Sequence, residues 1–174
     1  MNPITDKNKT ASPEKNLQDF LAQPGVREKV NSIAKRLGVM PEELLYAIGK
    51  ETAGSYSSAQ RNLGGGKAVG LIQFYPDYNK ELGKSETFKT IRGKKYEITD
   101  LEKMTELQQL DVVEEYLIEN FKGRGGKPGE LYVSIGYPGL VGKSPDTKIT
   151  GEDLARIKIE NPGWVDENDN VTKA

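Results

Sequence analysis

The stretch from Glu51 to Pro76, ETAGSYSSAQRNLGGGKAVGLIQFYP, decides how the rest of the chain is read. It opens on a glutamate at the end of a predicted helix. A polar, glycine-rich loop follows. The stretch then closes on Gly70-Leu71-Ile72-Gln73-Phe74, a compact apolar turn carrying one amide. A carboxyl group that moves protons needs such a setting: a rigid backbone behind it, partial burial to raise its pKa, and an open cleft in front.

Immediately upstream, Pro41 opens the helix that ends at about Glu51. Leu44, Ile48 and Glu51 are three or four residues apart, so they share one face. A glutamate at a helix end is by itself usually a solvated charge; here it lies on the apolar side. Further back, Val26, Val30, Ile33, Ala34 and Leu37 form a helical stripe, and Gly38 fits a left-handed C-terminal cap. Ser12-Pro13-Glu14 supplies an N-cap, a proline at the first helical position and an acid in the first turn. The short helix they start runs through Leu17, Phe20 and Leu21 and stops at Pro24-Gly25.

Residues 33–45 also have the look of a helix-turn-helix. Its second helix, PEELLYAIGKE, leads with two acids and is otherwise mostly apolar. That is the wrong surface for phosphates and base edges, so no nucleic-acid partner is expected.

Downstream of Glu51, residues 52–69 carry Ser55, Ser57, Ser58, Gln60 and Asn62. A substrate-contacting lid and a flexible surface loop are both open readings of this segment. Gly66-Lys67-Ala68 lacks the Ser or Thr of a phosphate loop. Phe88, Ile91, Tyr96 and Ile98 flank Arg92-Gly93-Lys94, which predicts a small β-hairpin. Lys84, Lys89, Arg92, Lys94 and Lys95 gather there, as a solvated face or a contact for anionic polymers. Thr99-Asp100-Leu101-Glu102 and Thr105-Glu106-Leu107-Gln108 both fit capping boxes. A helix is predicted from about Thr105 to Phe121, with Leu107, Leu110, Val113, Leu117 and Phe121 as its core stripe. Ile149 to Leu154 reads as another helix start. Asp166 to Asn170 faintly resembles a calcium loop but has no glycine at its sixth position, so no metal site is expected.

Composition narrows the chemistry. A chain of 174 residues has room for one domain with one real core. No apolar run is long enough to span a membrane, and the first sixteen residues, MNPITDKNKTASPEKN, lack the apolar centre of a secretory signal. A net charge of −1 exerts no general pull on nucleic acid. With no cysteine there is no disulfide framework and no thiolate chemistry. With no histidine there is no Ser-His-Asp triad, no histidine-ligated zinc and no ordinary neutral-pH base. Hydrolytic chemistry would have to rest on carboxylates with help from Tyr, Lys, Ser or amides, and no cofactor is expected.

Glu51-Thr52, Gly70-Leu71-Ile72-Gln73 and Phe74-Tyr75-Pro76 together resemble the motif of the lysozyme-like lytic transglycosylases. That motif is a Glu-Ser/Thr pair, a variable loop, then Gly-Leu-Met/Ile-Gln with an aromatic or apolar residue and often a proline. The nearest look is to versions carried by bacteriophages and prophages. The helical segment Met104 to Glu114 and the later Tyr132 to Gly139 are similar to segments of those versions, so the resemblance covers roughly residues 26–140. It implies a mainly α, lysozyme-like α+β fold with a small β-hairpin. The chain would divide into a flexible N-terminal segment at 1–12, a catalytic domain at 13–160 and an exposed C-terminal tail at 161–174.

The resemblance also implies an activity: cleavage of the β-1,4 bond between N-acetylmuramic acid and N-acetylglucosamine in peptidoglycan. Members of the family use one glutamate. It protonates the glycosidic oxygen and then deprotonates the muramic acid 6-hydroxyl, which closes a 1,6-anhydro ring. The matching acid/base is Glu51, with Thr52, Gln73 and Tyr137 as substrate contacts. Many members have Tyr-Asn where this chain has Tyr137-Pro138, so the site lacks one amide. Two alternatives stay open. Asp77 follows the glutamine motif and could be the second carboxylate of a hydrolytic muramidase, since goose-type lysozymes place a water-activating Asp near the end of the corresponding motif. Otherwise the chain is a non-catalytic phage structural or wall-binding module. As an endolysin or virion tail component it would act on the cell wall or periplasm after delivery by a phage particle or lysis pore. Tail or baseplate proteins are then the expected partners, without membrane insertion.

Overall fold

The computed structural model describes residues 11–121, 130–136 and 154. The chain divides into two compact units, Met1–Val141 and Gly142–Ala174. Every element below belongs to the first unit; in the second only Leu154 is described, helical and half-buried. Tyr137, the helix start at Ile149 and the acidic run at Asp166 lie outside the described residues, as do residues 1–10.

Three helices lead to Glu51. Helix α1 spans Pro13–Ala22, with the Ser12 hydroxyl accepting a hydrogen bond from the Lys15 N–H at 3.2 Å. This satisfies one of the amides that a helix N-terminus leaves open. Helix α2 spans Val26–Leu37 and ends on Gly38, whose φ of 71° lets its N–H reach back to the carbonyls of Ala34 and Lys35. Helix α3 spans Pro41–Glu51. The apolar stripes predicted for α2 and α3 are buried: Val26, Val30, Ile33, Leu44 and Ile48 are all at 1% exposure or less.

Two short antiparallel ribbons follow. Tyr78–Asn79 (β1) pairs with Lys84–Ser85 (β2), and Phe88–Ile91 (β3) pairs with Lys94–Glu97 (β4). The second register places Ile91 opposite Lys94, so Arg92-Gly93 is a two-residue turn. Both turn residues have positive φ, 49° and 78°, the twist that matches paired strands. Ile98, expected in the hairpin, instead begins helix α4, Ile98–Lys103. The Thr99 capping box is therefore inside the helix, and Glu97 occupies the N-cap without a side-chain bond. The reason is tertiary. The Ile98 N–H donates to the Thr87 carbonyl at 2.9 Å and its side chain is buried, so the end of the hairpin sets where the helix starts.

The second capping box forms as predicted. Thr105 N–H donates to Gln108 Oε1 at 3.0 Å, and Gln108 N–H donates to Thr105 Oγ1 at 3.2 Å. Helix α5 then spans Glu106–Phe121, and helix α6 spans Glu130–Gly136. Leu110, Val113, Leu117 and Phe121 are buried in one core with α2, α3 and Leu131 of α6. Leu107 departs from the expected stripe: it is 37% exposed and sits over Gly25. The buried position beside it is taken by Gln109, at 0%. Glu114 is also inward, held by Arg36 Nη1 at 2.7 Å and Lys29 Nζ at 3.0 Å. The fold is mainly α with a small antiparallel β component.

Candidate functional site

Glu51 is the last residue of α3. The residues behind it on the same face, Leu44, Ala47 and Ile48, are at 0% exposure, while Glu51 itself is half-buried. The carboxylate thus leaves a fixed apolar face at the boundary with solvent. The opposite face carries Tyr46, 56% exposed, whose ring lies beneath the Lys50 ammonium and edge-on to Tyr132.

Thr52 does not offer its hydroxyl to a substrate. Its side chain is wholly buried; Oγ1 donates to the Ile48 carbonyl at 2.7 Å and accepts from the Tyr56 N–H at 3.0 Å. It closes the end of α3 and starts the turn that follows. That turn is hydrogen-bonded and strained. Ala53 and Tyr56 both have positive φ, 50° and 52°. Gly54 lies against Pro13, and its carbonyl accepts from buried Asn16 Nδ2 at 3.0 Å, which docks α1 behind the segment.

The serines of this loop are likewise internal. Ser55, Ser57 and Ser58 are buried; the first two accept from the N–H groups of Ser57 and Ala59, and Ser58 Oγ donates to the Met104 carbonyl at 2.7 Å. Residues 52–59 are therefore part of the core boundary, neither a flexible loop nor a row of free hydroxyls. The exposed part begins at Arg61 and runs to Lys67. Arg61 makes a two-pronged bond to Glu102 of α4, and Asn62 Oδ1 collects the N–H groups of Gly64 and Gly66.

Gly70 to Gln73 is a tight turn between Val69 and Phe74, whose backbones exchange two hydrogen bonds of 3.2 and 2.8 Å. Gly70 has φ 92° and Gln73 has φ 52°. A non-glycine residue in that region costs on the order of 1–2 kcal/mol. Gln73 offsets this with its own amide: Nε2 donates to the carbonyls of Gln60 and Gly70, both at 3.0 Å. Two carbonyl partners define which end of the amide is nitrogen. Among the described residues no donor meets Oε1, so the end of half-buried Gln73 left for a ligand is an acceptor.

Asp77 is committed to the hairpin. Oδ1 accepts from Lys89 Nζ at 3.1 Å and Oδ2 from the Thr90 N–H at 3.0 Å. Its backbone is pinned too, N–H to the Phe88 carbonyl and C=O to the Glu86 N–H. Burial pushes its pKa up, but the bonds from Thr90 and Lys89 and the lysine's charge outweigh this and hold it below the ordinary value. Four of the five cations gathered here are also occupied: Lys89 by Asp77, Arg92 by Glu115 at 3.2 Å, and Lys94 and Lys95 over the rings of Tyr96 and Phe88.

The residue that sequence reasoning passed over is Gln109. It contacts the backbone of both the segment after Glu51 and the Gly70–Gln73 turn. Its one visible signal is a polar side chain next to Leu110, within the span of a helix face that is apolar apart from Glu114. Among the described residues there is no group of three or more metal-ligating side chains, and no helix is long and apolar enough to cross a membrane. No family model, curated protein or solved structure matches the chain.

Proposed function

We propose that the protein is a peptidoglycan-cleaving enzyme of the lytic transglycosylase type, with a lysozyme-like domain and Glu51 as its acid/base. The observation that carries this reading is Glu51 at the end of a buried helix face, half-open to solvent and followed at once by a turn tied through the Thr52 hydroxyl. Proton transfer needs a donor whose position does not wander. Glu51 gives its proton to the glycosidic oxygen as the bond from C1 of N-acetylmuramic acid breaks. The 6-hydroxyl oxygen of that sugar attacks C1 and passes its proton to Glu51. No water is consumed, and the glutamate is restored. Gln73 Oε1 is the acceptor available to a sugar hydroxyl or acetamido N–H.

The state of Asp77 favours this over hydrolysis. A muramidase needs a second carboxylate free to activate water. Both oxygens of Asp77 already accept hydrogen bonds, and a lowered pKa makes it a weaker base. Delivery by a phage particle or lysis pore, with tail or baseplate proteins as partners, belongs to the same proposal. Digestion of purified sacculi followed by mass spectrometry tests it. Muropeptides ending in 1,6-anhydro-muramic acid are expected. Products heavier by one water, with reducing muramic acid ends, would make the enzyme a muramidase. Binding to sacculi without cleavage would make it a wall-binding module.

A further inference from the structure

Gln109 is buried at 0% and uses every hydrogen of its amide. Nε2 donates to the carbonyls of Ser58 at 2.9 Å and Leu101 at 2.8 Å, while Oε1 accepts from the Leu71 N–H at 2.7 Å. These partners belong to three separate segments: the turn after Glu51, helix α4, and the turn that carries Gln73. An amide can meet two carbonyls and one N–H together without a charge. The fit is close on the other side as well. A Cβ on Gly70 would fall 2.8 Å from both Cδ and Nε2 of Gln109, and nearer still to Oε1. The amide therefore packs directly against the glycine, with no room between them for a side chain.

We propose that Gln109 is a positioning residue: it fixes the Gly70–Gln73 turn against the segment leaving Glu51, and so sets where Oε1 of Gln73 stands. The coupling runs in two steps. Gln109 holds Leu71 N–H, and Gln73 Nε2 in turn bonds the Gly70 and Gln60 carbonyls of the same corner. Gln60 itself accepts the Gly70 N–H at 2.8 Å, so a shift of the turn moves all three groups. The catalytic part of this inference rests on the reading of Glu51 given above; the positioning of Gln73 does not.

The test uses the full chain with Gln109→Met, which keeps the volume and removes all three bonds. Two readouts are taken on folded protein, verified by unchanged methyl signals of the core residues Leu44 and Leu117. In NMR, the side-chain amide signals of Gln73 should move toward those of a free glutamine, and the Leu71 amide should exchange faster. On soluble glycan strands, kcat should fall about ten- to a hundredfold with little change in KM, the result of a misplaced site rather than lost binding. If Gln109→Met does not fold, Gln109→Glu supplies the same signature by titration. The protonated carboxyl can still accept from Leu71 and donate to one carbonyl, so the Gln73 signals should return toward wild type as the pH is lowered. Wild-type Gln73 signals in folded Gln109→Met, or an unchanged kcat there, would overturn the role of Gln109. A wild-type chain that cleaves no wall would defeat the reading of Glu51 instead, with the Gln73 signals still deciding the positioning.

Discussion

The carboxylate of Asp77 holds the backbone of Thr90: Oδ2 accepts its N–H at 3.0 Å while Oδ1 takes the Lys89 ammonium at 3.1 Å. One side chain thus fastens the segment after the glutamine turn to strand β3. Asp77→Asn keeps an acceptor for Thr90 but turns a donor toward Lys89. A charge-assisted bond of this kind contributes about 1.5–3 kcal/mol, so a loss of that order is expected near neutrality by urea unfolding. The pH dependence has a definite sign. A folded-state pKa below the ordinary 3.8 means that the unfolded chain binds the proton first as the pH falls. The wild-type advantage should be full above the ordinary value and vanish below the folded one. An advantage that instead persists through the acid range would remove the ion pair from the account. In sacculus digestion this variant should keep most of its turnover.

Glu51→Gln should fold and lose wall cleavage. Glutamine keeps the shape of the side chain but cannot transfer the proton. The loss should be at least about a hundredfold, the usual contribution of a positioned acid–base group. Thermal unfolding and turnover on sacculi, measured on the same preparation, separate the two effects. Near-wild-type turnover would take Glu51 out of the mechanism.

Thr52→Val should act on stability rather than on substrate affinity. The change keeps the branched shape but strands the Tyr56 N–H in a buried position, at a cost of about 1–3 kcal/mol. Denaturant unfolding should show this loss with KM unchanged. A raised KM at unaltered stability would return Thr52 to the substrate.

Gly70→Ala and Gly38→Ala form a matched pair. Both glycines have positive φ, 92° and 71°, so both variants carry a backbone penalty of about 1–2 kcal/mol. At Gly38 the added methyl meets nothing within 4 Å, whereas at Gly70 it drives into the Gln109 amide. Gly70→Ala should therefore be the more destabilising by at least about 1 kcal/mol, in keeping with overpacking costs. Equal losses at the two positions would mean that the amide gives way freely.

What the sequence alone determined here is local. Ser12 starts α1, Gly38 ends α2, and Thr105 with Gln108 caps α5, each through bonds to residues three or four positions away, while Pro13 and Pro41 open α1 and α3 through their fixed φ. The Arg92-Gly93 turn and the face shared by Leu44, Ile48 and Glu51 are legible for the same reason: backbone geometry and helical period act within one or two turns. Tertiary structure alone decided which polar groups are spent inside the fold. Gln109 meets Ser58 and Leu71, 51 and 38 residues away, and Ser58 meets Met104 across 46. Asp77 finds its side-chain partners on strand β3 of the hairpin, 12 and 13 residues away. A hydroxyl, amide or carboxylate has the same composition whether it faces water or a buried carbonyl. The difference lies in desolvation, which depends on what the distant chain brings against it.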